Sequence, residues 1–265
     1  MNKYLKIMNT SLQNNMEYRF QFMTTIICSF IPFAVNSLIW LSINNYSSDL
    51  YGYSLNEIFT YYFIMMIVNN LLQCDIAYTV CDDIRSGTII PYLLKPLDYM
   101  GYHLFNELPR KVVFIIWGAA PTAVLFLFIR KSLTLSWDPI LIAQFMVSLI
   151  IGILISFLLY YLLGLLAFTF SQVGNFIMGY GVLLTIISGK IFPLTLMPGL
   201  VRRILDFTPF QYTAYVPVTI LQNKYGSYTE VFGVIMLGIV WIAVLYGICR
   251  LLWKNGLNKY SAFGG

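Results

Sequence analysis

From Pro139 to Phe170 the chain carries no charged side chain, and most residues in between are Leu, Ile, Phe or Tyr. One bilayer crossing needs about 20 apolar residues in a helix rising 1.5 Å each. The run is longer than that, so it must tilt, protrude or break, and Gly164 is the expected break. Only 10% of the 265 residues are charged and 59% are hydrophobic, where a soluble domain averages about 25% charged. A soluble fold cannot hide that much apolar surface. In hydrocarbon the backbone must satisfy itself, which for runs of this length means helices. The expected class is an all-α polytopic membrane protein with one membrane domain over 1–265, and no polar block is long enough for a separate soluble domain.

Six apolar stretches follow one another: Phe22 to Ile43, Leu55 to Val80, Val112 to Ile129, Pro139 to Phe170, Asn175 to Ser188 and Val231 to Leu252. The fifth follows a break at Ser171-Gln172-Val173-Gly174. As a helix it reaches only about 21 Å, short of a core of about 30 Å. After it, residues 189–221 are apolar but carry Pro193, Pro198, Pro209 and Pro217. That density of proline breaks a continuous helix. A helical hairpin re-entering one leaflet is expected, covered by protein or by a water-filled cavity. Residues 1–21 hold Leu5, Met8, Leu12, Met16 and Phe20 at intervals of three or four. They read as an amphipathic helix in the membrane interface rather than a signal peptide.

Six crossings put both termini on one side. With that side inward, Lys3, Lys6, Arg19, Arg85, Lys95, Arg110, Lys111, Arg250, Lys254 and Lys259 lie inside, and Arg130, Lys131, Lys190, Arg202, Arg203 and Lys224 outside. The balance follows the positive-inside rule, although Arg130-Lys131 opposes it locally. The expectation is a multi-pass protein of the cytoplasmic membrane with both termini cytoplasmic, residues 82–99 inside and 189–221 outside. The net charge of +5 fits this inner-leaflet bias and not nucleic-acid binding.

Catalytic chemistry is missing. Gly189-Lys190 is followed by Ile191 and lacks the earlier glycine of a phosphate loop. No His-Glu-x-x-His run or cysteine pair offers a metal site, and Cys28, Cys74, Cys81 and Cys249 read as small buried hydrophobes. His103, the one histidine, reads as an interfacial polar residue, and Asp75 as a hydrogen-bonded or snorkelling carboxylate. The chain is therefore not expected to be an enzyme. Energy for transport would have to come from a partner.

The most charged stretch, Asp82 to Lys111, sits between the second and third runs. Within it, Arg85, Ser86-Gly87-Thr88, the pair Leu93-Leu94, then Lys95 and Pro96 resemble the segment that follows the second span in ATP-binding-cassette type 2 exporter permeases. Ser188 to Leu221 is similar to that family's outer hairpin, with Gly189, Phe192-Pro193, Pro198, Pro209-Phe210, Tyr215 and Pro217 at matching places. The resemblance covers nearly the whole chain.

It implies a pair of permease subunits resting on a dimer of cytoplasmic ATPase subunits. ATP and magnesium would bind in those partners and no cofactor in this chain. Residues 82–99 would be the coupling element, with Gly87 turning the chain out of the span and Pro96 ending a short helix. Leu93 and Leu94 would enter an apolar groove of the ATPase, Asp82, Asp83, Arg85 and Lys95 would orient it at the rim, and Thr88 belongs to the same coupling element. The hairpin would gate the path of a hydrophobic or amphipathic cargo (a drug, peptide or lipid-like molecule). Phe192, Phe207, Phe210 and Tyr215 are candidates for cargo contact or for packing. The opening Asp-Asp-Ile-Arg departs from the glutamate-richer pattern of the wider family, which points to an unlike second permease and leaves homodimer against heterodimer open. Two other readings are an ion-coupled secondary transporter, which predicts internal repeats and ionisable groups at the midplane, and an immunity-type protein that sequesters a toxic peptide.

Overall fold

A computed structural model of the chain describes residues 2–17, 19–46, 52–170 and 172–263. Among these residues every regular element is helical: α1 Asn2–Glu17, α2 Arg19–Tyr46, α3 Leu55–Leu72, α4 Ile76–Ser86, α5 Ile90–Leu93, α6 Tyr99–Ile129, α7 Pro139–Leu165, α8 Val173–Ile187, α9 Gly199–Asp206, α10 Tyr215–Leu221 and α11 Tyr228–Phe263. Five stretches are long and apolar enough to cross a membrane: Ile26–Asn45, Leu55–Ser86, Tyr99–Ser132, Pro139–Phe168 and Tyr228–Tyr260. The sixth, α8, has 15 residues, about 22 Å as a helix.

α7 is the hub, with α3, α4, α10 and α11 packed around it. Ile155 and Tyr161 of α7, Tyr61 and Val68 of α3 and Val216 and Val218 of α10 are fully or almost fully enclosed. Lipid is as apolar as these side chains, so close van der Waals contact rather than water exclusion holds the helices together, and small residues matter where backbones meet. Gly164 is such a place and not a break. α7 runs helically through it to Leu165, and a β-carbon there would stand 2.7 Å from Val80 Cβ and 3.0 Å from the Ala77 carbonyl oxygen of α4. The break before α8 falls at Thr169 to Gln172, with Ser171 outside the described residues, and Val173 and Gly174 already belong to α8.

The second span departs from the expected unbroken run. α3 stops at Leu72, Gln73 to Asp75 are non-helical, and α4 resumes at Ile76 and continues to Ser86. The third helix begins at Tyr99, well before Val112, because the Asp98 carboxylate caps it by accepting from Gly101 N at 2.8 Å. α1 rests on this early part of α6. Ser11 Oγ donates to the Asn106 carbonyl at 2.8 Å, and the rings of Tyr4 and Phe105 stack 5.1 Å apart. The face of α1 with Leu5 and Met16 stays exposed, as an interfacial helix requires. Phe20, the last residue of that face, lies outside the described side chains. Cys74, Cys81 and Cys249 are buried as expected, but Cys28 is exposed on α2. α1, the end of α11 and the segment between α4 and α6 all gather at one end of the bundle, called the terminal face below.

Gly164→Val forces α4 and α7 apart and is expected to destabilise the protein by about 1–3 kcal/mol, read as a lower thermal midpoint in detergent. Gly179→Ala, where an added β-carbon meets nothing within 4 Å, is expected to leave that midpoint unchanged.

Candidate functional site: a braced elbow and a stitched hairpin

At the terminal face the chain turns from α4 to α6 through a compact elbow. α4 ends because Gly87 adopts φ 79°, a left-handed conformation that costs glycine little. Pro91 lies in the first turn of α5, where a missing N–H costs nothing.

The base of the elbow is braced by Asp83. Its Oδ1 accepts from Thr88 Oγ1 at 2.8 Å and its Oδ2 from the Tyr99 hydroxyl at 2.7 Å. His103 Nε2 lies 3.6 Å from the same Oδ2. Hydrogen bonds to a charged group are worth about 1.5–3 kcal/mol each. Asp83 therefore faces inward, not toward the rim with Asp82, Arg85 and Lys95, which are exposed. His103 is 2% exposed and enclosed by Tyr92, Tyr99 and Tyr102, so it is a buried element of the brace. Burial also pushes the Tyr92 hydroxyl above its usual range, and the Lys95 ammonium sits 5.6 Å from the Tyr92 ring centroid.

The tip is bare. Ile90, Leu93 and Leu94 are exposed, Leu94 to 82%. Pro91 and Pro96 are exposed beside them.

One α4 length away, about 16 Å, lies the break after α3. The Gln73 carbonyl accepts from both Arg110 Nη2 and Lys111 Nζ of α6. Arg110 Nη1 also donates to Asp75 Oδ2 at 2.5 Å, and Glu107 Oε2 is 3.6 Å from Arg110 and 3.8 Å from Lys111. Asp75 is thus a member of a hydrogen-bonded ion cluster.

At the opposite end of the bundle the hairpin is stitched to α3 and α11. The Gly189 carbonyl accepts from Tyr61 Oη at 2.5 Å and the Ile191 carbonyl from Tyr62 Oη at 2.6 Å, while Trp40 Nε1 donates to Tyr62 Oη at 2.8 Å. Gly189 turns at φ 84°. Tyr212 Oη donates to the Val234 carbonyl at 2.7 Å, and Trp241 Nε1 to that of Phe207 at 2.9 Å. Pro193, Pro209, Tyr215 and Pro217 are buried, Phe192 and Phe210 partly buried, and Pro198 is exposed at the start of α9. Of the four aromatic candidates only Phe207, 71% exposed, projects outward; the other three pack. Two cavities flank the hairpin: one of ≈ 780 Å³ edged by Tyr53, Arg202, Asp206 and Glu230, and one of ≈ 340 Å³ between α2, α3 and the end of α8.

Comparison with known protein families finds a match over nearly the whole chain. The family described as ABC-2 family transporter protein matches residues 17–264. No curated protein matches the chain.

Asp83→Ala removes the brace and is expected to speed backbone amide exchange across residues 87–98 by about tenfold or more. Exchange in α7 should be unchanged; equal protection of the elbow in the variant would mean that other contacts hold it.

Proposed function

The chain belongs to the ABC-2 transporter family and is a multi-pass membrane permease subunit of an ABC transporter, and from that premise we propose that it serves an ATP-driven exporter of hydrophobic or amphipathic cargo in the cytoplasmic membrane. The observation that carries this reading is the elbow: an apolar tip of Ile90, Leu93 and Leu94 held out on a base fixed by Asp83. An exposed apolar tip is poor solvent-facing design but a good plug for an apolar groove, and the exposed charges of Asp82, Arg85 and Lys95 around it suit orientation at a rim. The proposed occupant of that relationship is an ATPase subunit, one under each of two permease subunits. ATP and magnesium bind there, since this chain has no phosphate loop.

In the proposed cycle, closure of the ATPase dimer on ATP pushes the elbow. The brace passes the push to α6 through Tyr99 and to α4 through Asp83, and the spans rearrange around a path between the two permeases. The hairpin, tied to α3 by Tyr61 and Tyr62, gates the far end of that path. Both termini lie in the cytoplasm in this arrangement, on the side where the elbow meets its partner.

Leu94→Asp alters an exposed side chain, so folding stability should stay within about 0.5 kcal/mol. Co-purification of the ATPase is expected to fall sharply, as it should when 86–96 are deleted. Undiminished retention in both variants, or labelling of Lys95→Cys by an impermeant thiol reagent added from outside intact cells, would overturn the reading.

A further inference from the structure

The ≈ 340 Å³ cavity between α2, α3 and the end of α8 falls in the size range of small-molecule sites, about 300–1,000 Å³. Phe33, Met65 and Met66 give it an apolar wall, and methionine adapts readily to irregular chains. Asn36, Asn69 and Lys190 supply polar groups, and Lys190 is the one charged residue of the lining. Lys190 is partly buried, and no described acidic group forms an ion pair with it. An ammonium so placed calls for a counter-charge. Its backbone is held on both sides, because the carbonyls of Gly189 and Ile191 are fixed by Tyr61 and Tyr62. The side chain is therefore presented to the cavity by a rigid turn, which lowers the ordering cost of binding.

We propose that this cavity binds an anionic amphiphile, with its carboxylate or phosphate on Lys190 and its hydrocarbon against Phe33, Met65 and Met66. A free inorganic anion would leave the apolar wall unused, and a neutral chain would leave the ammonium without a partner. The site concerns the permease alone and needs no ATPase, so it stands or falls separately from the exporter reading.

Trp40 reports on the site, since its indole donates to Tyr62 and Tyr62 lines the cavity. The full chain in neutral detergent is titrated with dibromostearate, which quenches nearby tryptophan, and with the methyl ester of the same acid. The acid is expected to bind the unaltered protein about tenfold or more tightly than the ester, a charge-assisted hydrogen bond being at stake. Lys190→Met is expected to bring the acid down to the ester's level, and Lys190→Arg to restore it. Lysophosphatidate should displace the acid, showing that a phosphate head is taken as well as a carboxylate, while inorganic phosphate and acetate should not. Equal binding of acid and ester to the unaltered protein overturns the proposal without recourse to any variant. So does unchanged binding by a folded Lys190→Met protein, or displacement by inorganic phosphate as effective as that by lysophosphatidate.

Discussion

A peptide group that leaves a helix inside a bilayer must find its partner within the protein, because hydrocarbon offers none. The chain leaves a helix after Leu72, within its second candidate span, and again after the apolar helix that ends at Ile187. At the first place two cations of α6 converge on the Gln73 carbonyl. At the second, two neighbouring tyrosines of α3 take up the carbonyls of Gly189 and Ile191. Each departure is thereby fastened to a helix far away in sequence. The elbow at one end and the hairpin at the other depend on these fastenings for their position.

The first break also divides labour along the second span. α3 belongs to the core around α7 and holds the hairpin, whereas α4 runs from the ion cluster to the elbow. α4 still touches α7 closely through Val80 and Gly164. α4 is joined to α6 at both ends, by the ion cluster at Asp75 and by the Asp83 brace, and is backed by α7 at Gly164. The elbow is thus linked to the break at Gln73–Asp75 through α4 on one side and the stretch of α6 from Tyr99 to Lys111 on the other.

Much of this was legible in the amino-acid order. The apolar runs mark where the long helices lie, and the charge and proline content of Asp82 to Lys111 marks the elbow, with Gly87 as its turn. What stayed hidden depends on partners far apart in sequence. Gln73-Cys74-Asp75 reads as ordinary helix until Arg110 and Lys111 are brought beside it. Gly164 reads as a weak point in a long run, yet it is a contact point because Val80 lies against it, and nothing near Gly164 in the chain says so. Asp83 resembles its exposed neighbour Asp82, and only the helical spacing of Tyr99 and His103, four residues apart, hints at an inward-facing acid opposite them. Cys28 illustrates a different limit: facing lipid and facing the core select the same side chains.

Asp98 gathers more than a helix start. One of its oxygens caps α6, the other accepts from Arg250 Nη1 of α11 at 2.5 Å, and its own backbone N–H donates to the Tyr4 hydroxyl of α1 at 3.3 Å. α1, α6 and α11 therefore share a single rivet. Whatever shifts the mouth of α6 drags both extremities of the chain along, so the amphipathic collar and the closing span travel with it as one plate.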